Sequence, residues 1–235
     1  MFFKPIILAF MMALAARADL VMEQQFSDTN GTGHVVLKLH ADKMRMDQQD
    51  TKSNVFSVIV DLNTRDSITL LATNKMFLKR SGAEIRRLME TAKKAATTND
   101  LNLPPARVVD SGKAEKVDGY DTEIYTWSGA HGVNETLWVA TNFPNYAAIR
   151  NELARIDQFN RTGPHKNAQP ELSPLPGMVI KTQSTANGKT GTVTLVSAKA
   201  EPVDASLFEL PADYVPWKPP VSQTNNTVTT TGKSS

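Results

Sequence analysis

The sequence predicts an α+β protein in which an antiparallel meander of β-strands is covered by two helices. Short apolar runs of strand length recur every ~8–12 residues between turn signals, and two other stretches have helical periodicity. Asn187-Gly188 separates two further strand-like runs, as in a tight hairpin. Several strands are apolar on both faces, so we expect both faces to be covered. Helices of the same chain would supply that cover, with a ligand or a partner as the alternative.

Six strand-length runs occur in the first 80 residues. The fourth has the clearest pattern, because Phe56, Val58 and Val60 share one face while Ile59 occupies the other. The six predicted strands are 20–26, 35–41, 43–47, 55–62, 68–72 and 76–78.

Two amphipathic helices are predicted to pack on this sheet. The first spans 83–96, and its basic residues lie off the apolar stripe, as on a solvated face; a basic binding patch is the alternative. The second follows Asn145, a candidate N-cap residue. Its apolar stripe is Ile149, Leu153 and Ile156.

The stretch 119–159 combines a hairpin with the second helix and holds two of the three Trp residues. Large aromatic side chains dominate core energetics, so we expect the rest of the fold to pack around it. If the sheet holds a ligand, its apolar strand residues would line the groove, with ordinary core packing as the alternative for each. The candidates are Phe56, Val58, Ile124, Trp127 and Trp138.

Residues 1–18 have the features of a secretory signal peptide. Lys4 precedes an apolar run at 5–16, and Ala16-Arg17-Ala18 forms an A-x-A cleavage site; a retained N-terminal anchor is the alternative. The chain has no Cys, which excludes disulfides and a lipid-modified Cys and favours a bacterial exported protein. We therefore expect a periplasmic or extracellular location.

Removal of that segment leaves 24 basic and 24 acidic residues. A neutral chain lacks the charge that binds a nucleic-acid backbone, so we expect no nucleic-acid partner. No later stretch is apolar enough to span a membrane. We expect a monomer with a single domain at 19–217, a Pro-rich internal loop at 161–176 and a disordered tail at 218–235.

Catalytic and cofactor motifs are not evident. His34 and His40 would lie ~20 Å apart on one strand, too far to share a metal ion. There is no G-x-S-x-G, and Gly188-Lys189-Thr190 fits a hairpin turn better than a phosphate loop. We expect no catalytic residue, metal or cofactor. A hydrolase would need two carboxylates in one pocket, from candidates such as Asp61, Glu123, Glu135 and Glu152.

Three motifs carry a family resemblance: VDGYDTEIY at 117–125, LWV at 137–139 followed by a helix, and VDASLFELPADY at 203–214. Together they resemble a bacterial exported family of unknown function that is similar to the LolA/LolB/LppX lipoprotein carriers. The resemblance implies a curved antiparallel half-barrel with helices packed on its concave face. It also implies that the concave face binds acyl chains or other apolar groups. With no catalytic motif evident, we expect a non-enzymatic protein that binds a lipid or the acyl chains of a lipoprotein. A module that binds an envelope protein without a lipid is the alternative.

Overall fold

The structure, a computed structural model, describes residues 19–29, 31–50, 55–95, 106–129, 132–161 and 170–217. The predicted signal peptide and the tail lie outside these ranges. So do His131, His165 and half of the Pro-rich loop (162–169).

All strands in the described ranges belong to one sheet of 12 strands. Its order is β12-β6-β5-β4-β3-β2-β1-β11-β10-β9-β8-β7, and neighbours are antiparallel except the parallel pair β12 and β6. Two meanders, β1 to β6 and β7 to β11, join where β1 pairs with β11. The strands are β1 (Leu20–Asp28), β2 (Gly31–His40), β3 (Lys43–Asp50), β4 (Val55–Asp61), β5 (Ser67–Leu71), β6 (Met76–Arg80), β7 (Val109–Val117), β8 (Tyr120–Ser128), β9 (Asn134–Ala140), β10 (Met178–Ala186), β11 (Lys189–Ala200) and β12 (Val215–Pro216).

Within the described ranges the sheet is accompanied by two α-helices, α1 (Gly82–Ala95) and α2 (Tyr146–Asn160). The predicted fold class is confirmed as a curved antiparallel half-barrel, with α2 seated on its concave face through Ile149. The first helix packs less closely, since its apolar residue Leu88 is 46% exposed. Within the described ranges, neither helix combines the length and apolar character needed to cross a bilayer.

Ten of the strands match predicted ones within a few residues, whereas the sequence pattern does not indicate β7 or β12. The sequence of β7, VDSGKAEKV, is polar because this strand forms one edge of the sheet. A register shift between Asp110 and Lys113 bends it, with Gly112 at φ 66°. At the opposite edge, β12 has only two residues and contains Pro216.

Both faces of the sheet bury apolar side chains, as the sequence predicts. The face that contacts α2, here called the inner face, carries Leu20, Met22, Leu39 and Trp138. The other, outer face carries two smaller clusters, one around Trp127, Leu137 and Val139 and one around Ile59 and Leu70. Non-helical segments and a 3₁₀ turn cover the outer face, through Leu175 and Phe208. Among the described residues, α2 covers the inner face and neither helix contributes to the outer-face clusters, whereas the sequence pattern predicted two helices as the cover.

The 3₁₀ turn at Ala205–Phe208 closes the outer face. Asp204 begins it by accepting a hydrogen bond from the backbone N–H of Ser206 at 2.9 Å. Phe208 is 2% exposed, whereas Leu210, two residues further along, is 37% exposed. Arg45 of β3 holds the turn by donating to the carbonyl oxygen of Leu207 at 2.6 Å.

Asp47 beneath this turn gives a prediction about pH. Burial alone would raise the pKa of its carboxyl, but hydrogen bonds from Ser57, Lys38 and Arg45 outweigh burial and lower the pKa. Because the folded-state pKa is lower than the unfolded value of about 3.9, ionised Asp47 stabilises the fold above that pH. The stabilisation is lost as the pH falls through the folded-state pKa.

Asp47→Asn is therefore expected to lower the free energy of unfolding by about 1.5–3 kcal/mol at pH 7. The difference from the natural chain should narrow below about pH 4, as Asp47 becomes protonated. Urea unfolding of both proteins between pH 7 and a pH below about 4 measures this difference in the free energy of unfolding. Asp121→Asn, at an 81% exposed side chain, is the control and should change little. A loss that is independent of pH would contradict the assignment.

Candidate functional site

An apolar pocket of about 230 Å³ lies between α2 and the inner face of the sheet. Its floor is formed by the buried side chains Met22, Met178, Ile180 and Leu195, contributed by β1, β10 and β11. Residues of α2, among them Leu153 and Ile156, form the facing wall. The pocket exists because this helix contacts strands that lie far apart in the sequence.

A second pocket of about 240 Å³ adjoins the first, because Ile180 and Leu195 line both. Its other walls include Tyr120 and Phe143, whose rings lie 5.4 Å apart. No residue of α2 lines this second pocket, so the first pocket alone lies beneath the helix and is called the groove here. A third pocket, of about 470 Å³, includes Tyr125 and Leu175, which belong to the outer-face cluster.

Hydrogen bonds and ion pairs made by the C-terminal half of α2 hold this helix on the sheet. Glu152 is 5% exposed and accepts a hydrogen bond from Arg155 one turn later. Arg155 also donates to the carbonyl oxygen of Ala41 at 2.8 Å and to Asp42 at 2.9 Å. These bonds link the helix to the turn between β2 and β3.

The end of α2 is held by a second arginine. Arg65 donates to the carbonyl oxygen of Phe159 at 3.0 Å, and its guanidinium lies 4.6 Å from the centre of the Phe159 ring. A cation near the C-terminal carbonyls of a helix is favourable. At the N-terminus, Asn145 occupies the predicted N-cap position, but its side chain makes no capping hydrogen bond.

Three charged residues surround the first pocket and are called the rim here: Arg150, Asp157 and Lys181. Burial raises the pKa of Asp157, while Arg161 and the backbone N–H groups of Leu172 and Ser173 act in the opposite direction. The carboxylate thereby fastens α2 to the segment at 172–173. Burial also raises the pKa of Tyr146 in the pocket wall.

Trp138 positions the lysine of the rim. The Lys181 ammonium lies 4.5 Å from the centre of the Trp138 ring, a cation–π contact. The indole N–H of Trp138 donates to Glu115 at 2.5 Å, which fixes the plane of the ring. A β-bulge between Val179 and Lys181 shifts the register of β10 against β9 at this point.

The five predicted groove residues lie on different parts of the sheet. Phe56 and Val58 share the face of Val60, which pairs with Met44 of the inner-face cluster. Ile124 pairs with Trp138, also on the inner face, whereas Trp127 lies on the outer face and donates to Glu135 at 2.8 Å. None of the five lines any of the three pockets described above. Met22, Ile180 and Leu195, which do line the first pocket, were not among the sequence candidates; the alternation of β1 was an available signal for Met22 alone.

The carboxylates that sequence inspection singled out have structural partners. Glu123 accepts from the Tyr125 hydroxyl, and Glu135 accepts from Trp127 and Ser184. Asp61 caps the turn after β4, and Glu152 binds Arg155. Across the described ranges, no group of three or more His, Asp or Glu residues is arranged to hold a metal ion.

The fold and the pocket define a half-barrel with an apolar groove beneath a helix. Residues 20–214 match the family described as a domain of unknown function, DUF4412, and the chain belongs to that family. The predicted membership of a family of unknown function is thus confirmed. No curated protein matches the chain in sequence.

Solved structures resemble the chain at low sequence identity. An uncharacterized conserved protein from Thermus thermophilus is 6% identical, with a TM-score of 0.51 over 86% of this chain and 90% of that one. Lipoprotein LppX from Mycobacterium tuberculosis is 10% identical, with a TM-score of 0.40 over 80% and 88%. A putative outer membrane lipoprotein-sorting protein domain from Vibrio parahaemolyticus is 12% identical, with a TM-score of 0.31 over 83% and 91%. The first shows a shared fold, and the lower scores of the other two support no functional inference.

Proposed function

We propose that this chain is an exported, non-enzymatic binding protein that holds an apolar ligand, a lipid or the acyl chains of a lipoprotein, beneath α2. The observation that carries the proposal is the apolar pocket of about 230 Å³ between α2 and the inner face. A folded chain ordinarily fills such a space with its own side chains. An apolar space of this kind is suited to a hydrocarbon chain.

The lining of the groove fits such a ligand physically. Each methylene group moved from water into an apolar site contributes about 0.8 kcal/mol. Met22 and Met178 in the floor have flexible thioether side chains that adapt to ligands of different shape. Pockets for small molecules usually measure ~300–1,000 Å³. The first pocket lies just below that range, which favours a single hydrocarbon chain over a bulky multi-chain lipid.

The proposal also covers where the protein works. We propose that residues 1–18 direct export and are removed, and that residues 19–217 act as one monomeric domain in the periplasm or outside the cell. Val215 and Trp217, exposed at one edge of the sheet, support the second candidate, an envelope-protein interaction module without a lipid.

Binding of the apolar dye 1-N-phenylnaphthylamine tests the proposal. Ala154 lines the pocket from α2, so Ala154→Trp should fill it and reduce dye binding at least about tenfold. Ala147→Trp adds the same side chain on the exposed side of the same helix and is the matched control. It should bind the dye as the natural chain does. No saturable binding to the natural chain, or equal binding by the two variants, would contradict the proposal and favour the interaction module.

A further inference from the structure

At the rim of the first pocket the acidic residue has partners, whereas the two basic residues have no ion-pair partner within the described ranges. Asp157 has its backbone partners at 172–173, and Arg161 lies near it. Arg150 and Lys181 line the same pocket, and neither is ion-paired with a carboxylate of a described residue. The rim thus presents two cations without an acidic partner above an apolar floor.

The lysine of this pair is held in place. Trp138 lies against the Lys181 ammonium, and Glu115 fixes the indole by accepting its N–H. A lysine that covers only apolar surface would extend its ammonium freely into water. Here an aromatic face keeps the charge beside the pocket. The contact also leaves ammonium N–H donors for a further acceptor, since a lysine has three.

An apolar cavity below and two cations above match a molecule with a hydrocarbon chain and an anionic end. We propose that the ligand is a single-chain amphiphile with an anionic head group of the fatty carboxylate class. Its chain occupies the pocket beneath α2, and its carboxylate is bound by Arg150 and Lys181. Trp138 acts as a positioning residue for Lys181. The inference rests on the proposed function and specifies the ligand class for the same pocket.

Displacement of 1-N-phenylnaphthylamine by two competitors with the same chain length separates the head group from the chain. Dodecanoate and 1-dodecanol are titrated below the concentrations at which they aggregate. The affinity obtained from displacement should be about tenfold higher for dodecanoate than for dodecanol, since a hydrogen bond to a charged group contributes about 1.5–3 kcal/mol. The preference should shrink at high salt, because exposed charges are screened.

Variants assign the preference to the rim. The double variant Arg150→Met and Lys181→Met should bind dodecanol as before and lose the preference for dodecanoate. Lys181→Arg keeps the positive charge and should retain the preference for dodecanoate. Asp157→Asn, which removes the one carboxylate of the rim, should strengthen dodecanoate binding. The double variant Arg87→Met and Lys189→Met makes the same charge change outside the pocket and is the matched control. Circular dichroism verifies that each variant is folded.

The outcomes separate the inference from the function on which it rests. Equal displacement by acid and alcohol would overturn the anionic ligand and leave an apolar binding protein. A preference that persists without Arg150 and Lys181 would overturn the assigned residues. If the dye and both competitors fail to bind the natural chain, the proposed function and the inference fall together.

Discussion

Arg155→Met is expected to lower the free energy of unfolding by about 3–5 kcal/mol, because it leaves the carboxylate of Glu152 buried without its partner. Glu152 is 5% exposed, and Arg155 is its hydrogen-bond partner. The same substitution removes the hydrogen bonds from α2 to Ala41 and Asp42. Denaturant unfolding, monitored by circular dichroism, measures the loss. Since α2 forms one wall of the pocket, dye binding should weaken as well.

The double variant Arg155→Met and Glu152→Met separates the buried charge from the lost link to the β2–β3 turn. Replacing both partners with apolar side chains should recover a large part of the stability, because no charge remains buried. Lys75→Met is the control: it breaks the exposed pair with Asp213 and should leave the unfolding midpoint unchanged. A loss in the control as large as in Arg155→Met would contradict the account.

Phe208→Ala is expected to lower the free energy of unfolding by about 3–5 kcal/mol, the usual range for removal of a buried phenyl ring. The ring is 2% exposed and packs with Ile59 and Leu70 on the outer face. It also lies 5.9 Å from the ring of His40, between centres. The 3₁₀ turn at Ala205–Phe208 should therefore act as a structural cover and not as a mobile end.

Leu210→Ala is the matched control for that prediction. It lies two residues further along the chain and is 37% exposed, so its removal should change stability by no more than about 0.5 kcal/mol. Thermal unfolding of both variants makes the comparison. Equal small losses would mean that the closing segment does not pack as described. Dye binding should survive in both, because the pocket lies on the inner face.

The sequence pattern is sufficient for the elements whose signals are local. Alternation and turn residues located most strands, and the i, i+4 spacing of Ile149 and Leu153 located α2. The Asn187-Gly188 turn was a sufficient signal for the hairpin of β10 and β11, where both residues have positive φ. Edge strand β7 lacks such a signal because one of its sides pairs with no strand among the described residues.

The parts that depend on distant contacts could not be predicted in this way. The pairing of β1 with β11 joins residues about as far apart as Leu20 and Ala200, and no local pattern encodes it. Once the register of the strands is known, strand parity tells whether Trp127 and Trp138 share a face of the sheet. It does not tell which of the two faces α2 contacts. For that reason Trp127, proposed for the groove, lies on the outer face.

The pocket illustrates the same limit. Its floor combines Met22 of β1 with Met178 of β10 and Leu195 of β11, and each alone has the character of an ordinary core residue. The position of α2 brings them together as the floor of one pocket, and two arginines hold that helix: Arg65 from the connection between β4 and β5, and Arg155 of α2 itself through the carbonyl oxygen of Ala41. Contacts between residues that are distant in the sequence thus determine where the pocket forms.

Native mass spectrometry of the full protein, purified from its own envelope, tests the central claim that an apolar ligand lies beneath α2. The natural chain and Ala147→Trp should each carry an added lipid mass that is released on activation. Ala154→Trp, whose indole fills the pocket, should be free of it. An unliganded natural chain, or the same lipid on the Ala154→Trp variant, would contradict the claim.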